Sequence, residues 1–235
     1  MDAQNNERLL AQAKQFFVEI IAQNHLKNCT KAAHLKNYKI NPFLFNYLAV
    51  FLAGEATPQN IAKSLVYPRV LGSSITTSFG TNMQKQITNL FDGFGSTVKG
   101  IDIEFIDAFD GRRKYCQLKA GPNTINKDDI KTIKDHYTDI KKRAKTNHAV
   151  LAYNDLVVGV LYGEAEELNA HYKNLQNEYE VLVGKNFWHH LTGQETFYSE
   201  LIKAFIEVAT ETKGSSILQE TINTLANEIE KKYFH

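Results

Sequence analysis

Two short segments near the middle of the chain alternate between apolar and polar positions. Residues 101–105 and 116–119 both show this period of two, which is typical of β-strands with one buried face. Asp110 and Gly111 lie between them, and an Asp-Gly pair is a strong signal for a two-residue hairpin turn. The pattern therefore predicts two antiparallel strands joined by a tight turn at residues 110 and 111.

The position of the turn determines which residues of the predicted hairpin face each other. With this two-residue loop, Asp102 lies opposite Lys119 and Glu104 lies opposite Gln117. Opposed side chains have Cβ atoms roughly 4.5–5.5 Å apart, so these four polar groups are expected to converge on one face of the hairpin. The ordinary alternative is a solvated face with a cross-strand ion pair. The other face is predicted to be buried and consists of Ile103, Phe105, Cys116 and Leu118.

Apolar positions elsewhere in the chain predict a helix-rich protein. Asn41 and Pro42 mark the start of a helix that ends at Gly54 and is apolar almost all round, so we expect it to be buried in the core or between subunits. The apolar run from 150 to 162 is typical of a central strand buried on both faces, and residues 179–183 predict a further short strand. Other helices are predicted near residues 5–24, 57–66, 74–91, 126–144, 185–191, 195–212 and 215–233.

The whole-chain composition is that of a globular protein without a membrane span. Hydrophobic residues make up 43% of the 235 residues and charged residues 23%, and no apolar run approaches the roughly 18 residues that a span needs. Met1 is followed by polar residues rather than by a signal-like apolar segment, so a cytoplasmic location is expected. Cys116 falls on the apolar face of the predicted hairpin and is expected to be a buried free thiol.

Basic residues are concentrated in one part of the chain. The formal net charge is only +1 at pH 7, which by itself does not indicate a nucleic-acid partner. Residues 112–145, however, contain eleven Lys or Arg residues against four Asp residues, a balance of +7. A local basic stripe of this kind can bind phosphate groups although the total charge is near zero.

The polar face of the hairpin has the residue types that phosphodiester hydrolysis requires. A hard cation needs oxygen ligands, and it neutralises the phosphate and acidifies a bound water. A lysine close to the attacking water or to the developing charge completes such a site. Asp102, Gln117 and Lys119 are therefore candidate catalytic residues, and a Gly-Pro loop and a basic helix follow them directly.

A resemblance to known nucleases rests on these residues. Asp102 followed by Gln117-Leu118-Lys119 resembles the PD-(D/E)XK nuclease motif, with Gln117 in the place of the second acid and Ile101 in the place of the proline. The wider sequence resembles type II restriction endonucleases of the TdeIII kind and their relatives that cut GGNCC or RGGNCCY. This resemblance extends over roughly residues 38–192 and is carried by the segments INPFLF, YPRVLG, QLKAGPNTINKDDIKTI, LVVGVLYG and VGKNFW.

The resemblance implies an α/β fold with a restriction-endonuclease-like core, in which a mixed central sheet of about five strands is flanked by helices. The core is expected at residues 76–192, a helical N-terminal region at 1–75 is a candidate for dimerisation or for clamping DNA, and C-terminal helices at 193–235 are expected to pack on the core. The implied activity is Mg²⁺-dependent hydrolysis of double-stranded DNA at a short palindromic site, GGNCC or an extended form, leaving 5′-phosphate ends. A homodimer suits a palindromic target, and a cognate DNA methyltransferase would act on the same site without necessarily binding this protein.

The resemblance also implies roles for individual residues. Asp102, the side chain of Gln117 and the main-chain carbonyl of Leu118 would hold Mg²⁺, with Glu104 as a further candidate that could replace the missing charge. Gln84 stands where many of these nucleases have a glutamate that assists metal binding. Candidates for DNA contact are Asn123, Thr124, Asn126, Lys127, Arg69 and Arg112.

Two alternatives remain open from the sequence. A repair or junction-resolving nuclease of the same fold would use the same chemistry but would recognise DNA structure instead of sequence. A catalytically inactive DNA-binding protein is also consistent with the sequence, because Gln84 and Gln117 are amides at positions where these nucleases have acids. Discrete fragments from plasmid DNA and Mg²⁺-dependent turnover distinguish these cases.

Overall fold

A computed structural model describes residues 3–90 and 94–234, with the backbone alone for residues 3 and 83–90. The described residues form ten α-helices and a four-stranded sheet. The strands are β1 Ile103–Ile106, β2 Arg113–Lys119, β3 Leu156–Val160 and β4 Glu180–Val183. The helices are α1 Ala3–Phe16, α2 Gln23–Ala32, α3 Pro42–Ala53, α4 Pro58–Tyr67, α5 Ile75–Leu90, α6 Lys127–Thr146, α7 Ala170–Leu175, α8 Gly184–Thr192, α9 Phe197–Glu211 and α10 Gly214–Tyr233.

The sheet is mixed, and its strand order is β1-β2-β3-β4. β1 runs antiparallel to β2, whereas β2, β3 and β4 run parallel to one another. Every residue of β3 is buried, which confirms the central strand predicted in the apolar run from 150 to 162. The prediction of about five strands is wrong for the described residues, where a single bridge between Gly95 and Ile103 lies on the outer edge of β1.

The hairpin of β1 and β2 has a register that differs by two residues from the prediction. Glu104 lies opposite Tyr115 rather than opposite Gln117. In the same register, the predicted direct opposition of Asp102 and Lys119 is also wrong. The antiparallel pairing itself is confirmed.

The cause of this difference is the length of the hairpin loop. The Asp107 N–H donates to the Arg112 carbonyl at 2.9 Å, so four residues form the turn instead of two. The Asp107 carboxylate accepts the Phe109 N–H, and the Asp110 carboxylate accepts the Arg112 N–H, which are the local bonds by which aspartate stabilises turns. Because the shift is an even number of residues, the predicted buried face is confirmed at Ile103, Phe105, Cys116 and Leu118.

Helix α6 connects the parallel strands β2 and β3. Asn126 caps its first turn, and the helix continues to Thr146. Ile133, Tyr137 and Ile140 form its buried face, and the Tyr137 hydroxyl donates to the Val157 carbonyl of the sheet. The helix is therefore fixed against the same face of β2 that carries Gln117 and Lys119.

Two compact units make up the chain. The first consists of Met1–Lys14 and Asn82–Ala204, and the second of Gln15–Thr81 and Phe205–His235. The sheet lies in the first unit, and the second has a helical core that includes Phe45, Ile61, Val66, Ile222 and Leu225. The segments 1–75, 76–192 and 193–235 expected from the sequence stay a prediction. None of the described helices is apolar and long enough to cross a membrane.

Helix α3 differs from its prediction. Asn41 and Gly54 limit it as expected, but its only buried residues are Phe45 and Ala49. Phe43 is 88% exposed and Phe51 79%. Of the two predicted positions of this helix, burial in the core of the chain is therefore wrong. Burial between subunits stays a prediction.

Candidate active site

A β-bulge before β1 positions the Asp102 carboxylate. The Asp102 N–H donates to the Cys116 carbonyl at 3.0 Å, and Cys116 is also the register partner of Ile103. Two residues of the first strand thus lie opposite one residue of the second, an arrangement that bends a strand and re-aims its side chains. The Asp102 carboxylate is placed beside β2, where Oδ2 accepts the Leu118 N–H at 2.7 Å. The alternating sequence pattern gave no sign of this bulge.

The surroundings of Asp102 have opposite effects on the ionisation of its carboxyl group. Burial raises the pKa of Asp102 above its ordinary value, because the carboxylate loses solvation. The Leu118 N–H and the charge of Lys119 act in the opposite direction and favour the ionised form. The electrostatic effect of Lys119 agrees with the expectation that these two residues lie close together, although they are not cross-strand partners.

Gln117 lies beneath α6 and contacts a histidine of that helix. Gln117 is 6% exposed, and its side-chain Nε2 lies 3.3 Å from Nδ1 of His136. The imidazole also packs against Gly100, where a Cβ would lie 2.3 Å from the ring Cγ. His136 was not among the residues predicted for the site, although its place beside the buried Tyr137 and one turn after Ile133 indicates a position near the sheet.

Lys119 is linked to the start of α6. Its Nζ lies 3.4 Å from Oδ1 of Asp129, and the lysine side chain is 12% exposed. The other oxygen of Asp129 accepts the Asn126 N–H at 2.9 Å, while the Asn126 side chain accepts the Asp129 N–H at 3.1 Å. This reciprocal pair is a capping box. Asp129 was not among the residues predicted for the site, and its spacing of three residues after Asn126 was the available signal.

The main chain of β2 offers a carbonyl oxygen near Asp102. The Lys119 carbonyl accepts the Leu161 N–H at 3.0 Å on the β3 side. Since main-chain groups of successive strand residues point to opposite sides, the N–H and C=O of Leu118 point away from β3. The Leu118 N–H donates to Asp102 on that side, so the Leu118 carbonyl is directed toward the same edge.

The oxygen atoms of Asp102, Gln117 and Leu118 are of the type that a hard cation binds. A carboxylate, an amide oxygen and a main-chain carbonyl are the oxygen ligands that Mg²⁺ and Ca²⁺ accept. The described side chains contain no cluster of three His, Cys, Asp or Glu residues that could hold a metal ion. A cation at this edge would therefore have to use the neutral oxygens of Gln117 and Leu118 in addition to the Asp102 carboxylate.

Glu104 has partners of its own. One carboxylate oxygen accepts the Ser96 hydroxyl at 2.6 Å, and the other accepts from the Arg113 guanidinium at 2.9 Å. Glu104 itself lies opposite Tyr115, two residues before Gln117 in β2. A contribution of Glu104 to metal binding stays a prediction, and it would require Glu104 to exchange one of these partners.

The residues between β2 and α6 combine exposed and structural side chains. Asn123 and Lys127 are exposed. The Thr124 hydroxyl donates to the Gly121 carbonyl at 2.8 Å, and the Asn126 oxygen caps α6. Contact of these four residues with DNA stays a prediction, and the structure gives Thr124 and Asn126 a local role as well.

The remaining candidates for DNA contact already have partners. The Arg112 guanidinium binds the Asp155 carboxylate through two N–H groups, one of them at 2.7 Å. Arg69 donates to the Asn37 carbonyl and lies 4.7 Å from the centre of the Tyr38 ring. Gln84 belongs to α5, but its side chain lies outside the described residues. The two arginines stay predicted phosphate contacts.

Comparison with known proteins gives the family. The mixed four-stranded sheet flanked by helices agrees with the expected class, that of restriction-endonuclease-like proteins. The family model of type II restriction endonuclease EcoO109I matches residues 8–213 of the chain, so the chain belongs to this family. A search of curated proteins finds no match.

Membership in this family establishes the general activity. The protein is a site-specific deoxyribonuclease of type II, and its substrate is double-stranded DNA. The α/β fold and the nuclease activity expected from the sequence are thereby confirmed. Type II restriction endonucleases generally need a divalent metal ion, which agrees with the oxygen donors of the site.

Proposed function

We propose that this enzyme hydrolyses double-stranded DNA with Mg²⁺ at a short palindromic site, GGNCC or an extended form of it. It leaves 5′-phosphate and 3′-hydroxyl ends, and its specificity is of the TdeIII kind. Its catalytic residues form a PD-(D/E)XK motif in which Gln117 replaces the second acid. The observation that carries the proposal is the Asp102 carboxylate at the Leu118 N–H, within the electrostatic reach of Lys119. Because its substrate is DNA, the enzyme is proposed to act in the cytoplasm.

Each residue of the proposed site has its own task. Asp102, the Gln117 side-chain oxygen and the Leu118 carbonyl would hold Mg²⁺, which when bound neutralises the scissile phosphate and acidifies a water. Asp102 supplies the formal negative charge of this ligand set. Lys119 donates hydrogen bonds that position the nucleophilic water or offset the charge on the phosphate oxygens. Asp129 holds the Lys119 ammonium at 3.4 Å and so limits its freedom before DNA binds.

The start of α6 is the proposed place of DNA recognition. It follows β2 after a short loop, so DNA bound at Asp102 and Lys119 passes close to it. The side chains and main-chain N–H groups of this segment can contact base edges or phosphates, and half or more of such contacts usually go to the backbone. The proposed contacts are Asn123, Thr124, Asn126 and Lys127, with Arg69 and Arg112 as phosphate contacts that exchange their present partners.

A homodimer is part of the proposal, and α3 is its proposed interface. A palindromic site has two-fold symmetry, which a two-fold dimer matches with one site per strand. Seven apolar residues of α3 are between 41% and 88% exposed, and burial of apolar surface drives the association of protein subunits. They are Phe43, Leu44, Tyr47, Leu48, Val50, Phe51 and Leu52. A second copy of the chain would cover this face. A cognate methyltransferase would act on the same DNA site and need not bind this enzyme.

Light scattering on the purified protein tests the interface. The wild-type protein and a Val150→Ser control are expected to be dimers, because Val150 is an isolated exposed residue at 86%. The double variant Phe43→Ser, Phe51→Ser is expected to be a monomer. A dimer of unchanged stability in the double variant contradicts the assignment of α3.

Cleavage of plasmid DNA tests the activity. With Mg²⁺, the wild-type protein is expected to give discrete fragments, and sequencing of their ends gives the site and the cut position. Lys119→Ala is expected to cleave about 100- to 1,000-fold more slowly, which is the usual effect of removing one group that stabilises charge in the transition state. In Ca²⁺, the variant is expected to bind the same DNA. Lys203→Ala, an exposed lysine of α9, serves as the control. Full cleavage by Lys119→Ala refutes the assignment.

The same experiment separates the two alternatives. Cutting at branched or damaged DNA without discrete plasmid fragments would indicate a structure-specific nuclease. Binding without turnover in any divalent metal ion would indicate an inactive member of the family.

A further inference from the structure

The two ends of the Gln117 amide are chemically different, and one hydrogen bond selects which end faces the site. Nε2 lies 3.3 Å from Nδ1 of His136. An amide NH₂ group donates and does not accept, so Nδ1 must be the acceptor in this arrangement. The ring proton of His136 is then on Nε2.

The opposite arrangement would disable Gln117 as a ligand. If Nδ1 carried the proton, it would donate to the Gln117 oxygen, and the NH₂ group would face the edge where Asp102 lies. An NH₂ group carries partial positive charge and has no lone pair for a cation. The orientation of the amide therefore decides whether the site has two oxygen donors besides Asp102 or one.

We propose that His136 is a positioning residue, which accepts the Gln117 N–H at Nδ1 and so presents the Gln117 oxygen to the divalent metal ion. This inference rests on the proposed role of Gln117 as a metal ligand. His136 does not touch the ion or the DNA in this arrangement. It acts through its hydrogen bond to the proposed ligand Gln117, as residues that contact metal ligands commonly do.

The fold holds the imidazole in place for this task. One face of the ring packs against Gly100, which leaves no space for a side chain at that position. His136 also lies next to Tyr137, which is fully buried and bonded to the sheet. A cavity of about 70 Å³ lies beside the ring and is lined by Val98, Lys99, Asp139, Ile140 and Arg143.

The need for His136 follows from the glutamine itself. A carboxylate at position 117 would have two equivalent oxygens, so one of them would face the ion in either orientation. An amide has one oxygen, and its orientation must be fixed. The effect of His136 on ion binding should therefore depend on whether residue 117 is an amide or a carboxylate.

Nitrogen NMR of the histidine rings tests the orientation in the metal-free wild-type protein. Long-range ¹H–¹⁵N spectra, with His136 assigned by comparison with His136→Gln, are expected to show an unprotonated Nδ1 and a protonated Nε2. A proton on Nδ1 at pH 8 overturns the proposal. This measurement does not depend on catalytic activity, and the variant serves only to assign the His136 signals.

Calorimetry with Mn²⁺ as the probe tests the consequence. In the wild-type background, His136→Leu is expected to weaken Mn²⁺ binding by about tenfold or more. His136→Gln, whose side-chain oxygen can accept the same hydrogen bond, is expected to restore most of the affinity. In a Gln117→Glu background, His136→Leu is expected to change the affinity by no more than about twofold, which is the usual deviation from additivity for substitutions that do not interact. Equal losses in both backgrounds overturn the proposal.

Two further variants separate this inference from the proposed function. His171→Ala, at the start of α7 and outside the site, is expected to leave Mn²⁺ affinity unchanged. Gln117→Ala is expected to weaken it as much as His136→Leu does. Unchanged affinity in Gln117→Ala means that Gln117 is not a ligand and refutes that part of the proposed function. Weaker binding in Gln117→Ala but not in His136→Leu refutes the role of His136 alone.

Discussion

Replacement of Gly100 by alanine tests whether the packing of His136 controls the active site. Gly100 has a φ of +83°, where side chains are strained. The new Cβ would also lie 2.3 Å from Cγ of His136. Both effects act two residues before Asp102, and the second acts on the hydrogen bond between His136 and Gln117.

The structure gives the magnitude of each effect. The left-handed backbone costs about 1–2 kcal/mol for a residue with a Cβ. Ordinary contact requires 3.4 Å or more, so the imidazole must recede by about 1 Å, at a further cost of about 1–3 kcal/mol. The hydrogen bond to Gln117 is already 3.3 Å long, and such a displacement takes it beyond the range in which hydrogen bonds form.

Urea unfolding and Mn²⁺ calorimetry measure the two effects separately. Gly54→Ala is the matched control, because Gly54 has a φ of +82° and no atom within 4 Å of its would-be Cβ. Gly54→Ala is expected to lose about 1–2 kcal/mol of unfolding free energy and to keep its Mn²⁺ affinity. Gly100→Ala is expected to lose about 2–5 kcal/mol and to bind Mn²⁺ about tenfold more weakly. If both variants lose the same stability and neither loses affinity, the reasoning from the packing of His136 is refuted.

Three other substitutions test the surroundings of the site. Lys114→Met removes a fully buried ammonium that binds Asp110 at 2.6 Å. The variant is expected to lose about 3 kcal/mol of unfolding free energy, measured in urea. A loss below about 1 kcal/mol would contradict the importance of this ion pair. Asp102→Asn is expected to raise the Tm at pH 8 in the presence of a chelator, because burial raises the pKa of Asp102 and makes its charged form unfavourable in the folded protein. The difference in Tm between the variant and the wild type should shrink as the pH falls through that pKa, because the wild-type carboxyl then takes up a proton. Glu104→Gln is expected to raise the Mg²⁺ concentration needed for cleavage relative to the exposed control Glu166→Gln, and an unchanged Mg²⁺ dependence would remove Glu104 from the metal site.

The hairpin shows which part of the site the sequence could predict. Alternation of apolar residues identified the buried face, and this result survived because the register error was an even number of residues. The loop length could not be predicted from Asp110-Gly111. Gly111 has a φ of +66° in the four-residue loop, and a two-residue loop would require a similar conformation there. The same local signal therefore fits both loops.

Contacts between distant segments account for most of what the sequence analysis missed. His136 and Asp129 reach the site because α6 packs on β2, and neither residue belongs to the strand motif. The bulge at Asp102 depends on the pairing with Cys116 and leaves no local pattern. For α3 the composition correctly indicated an apolar helix, but composition does not show which surface covers it.

The Asp129 carboxylate connects the proposed catalytic lysine with the helix turn that is proposed to contact DNA. It contacts Lys119 with one oxygen and closes the first turn of α6 with the other. A movement of that turn therefore displaces the ammonium group as well. If the turn contacts the bases, an incorrect base pair would weaken binding and also slow the chemical step, and the selectivities of the two steps would multiply. The contact between Lys119 and the cap of α6 would in this way reduce cleavage of DNA that differs from the target by a single base pair.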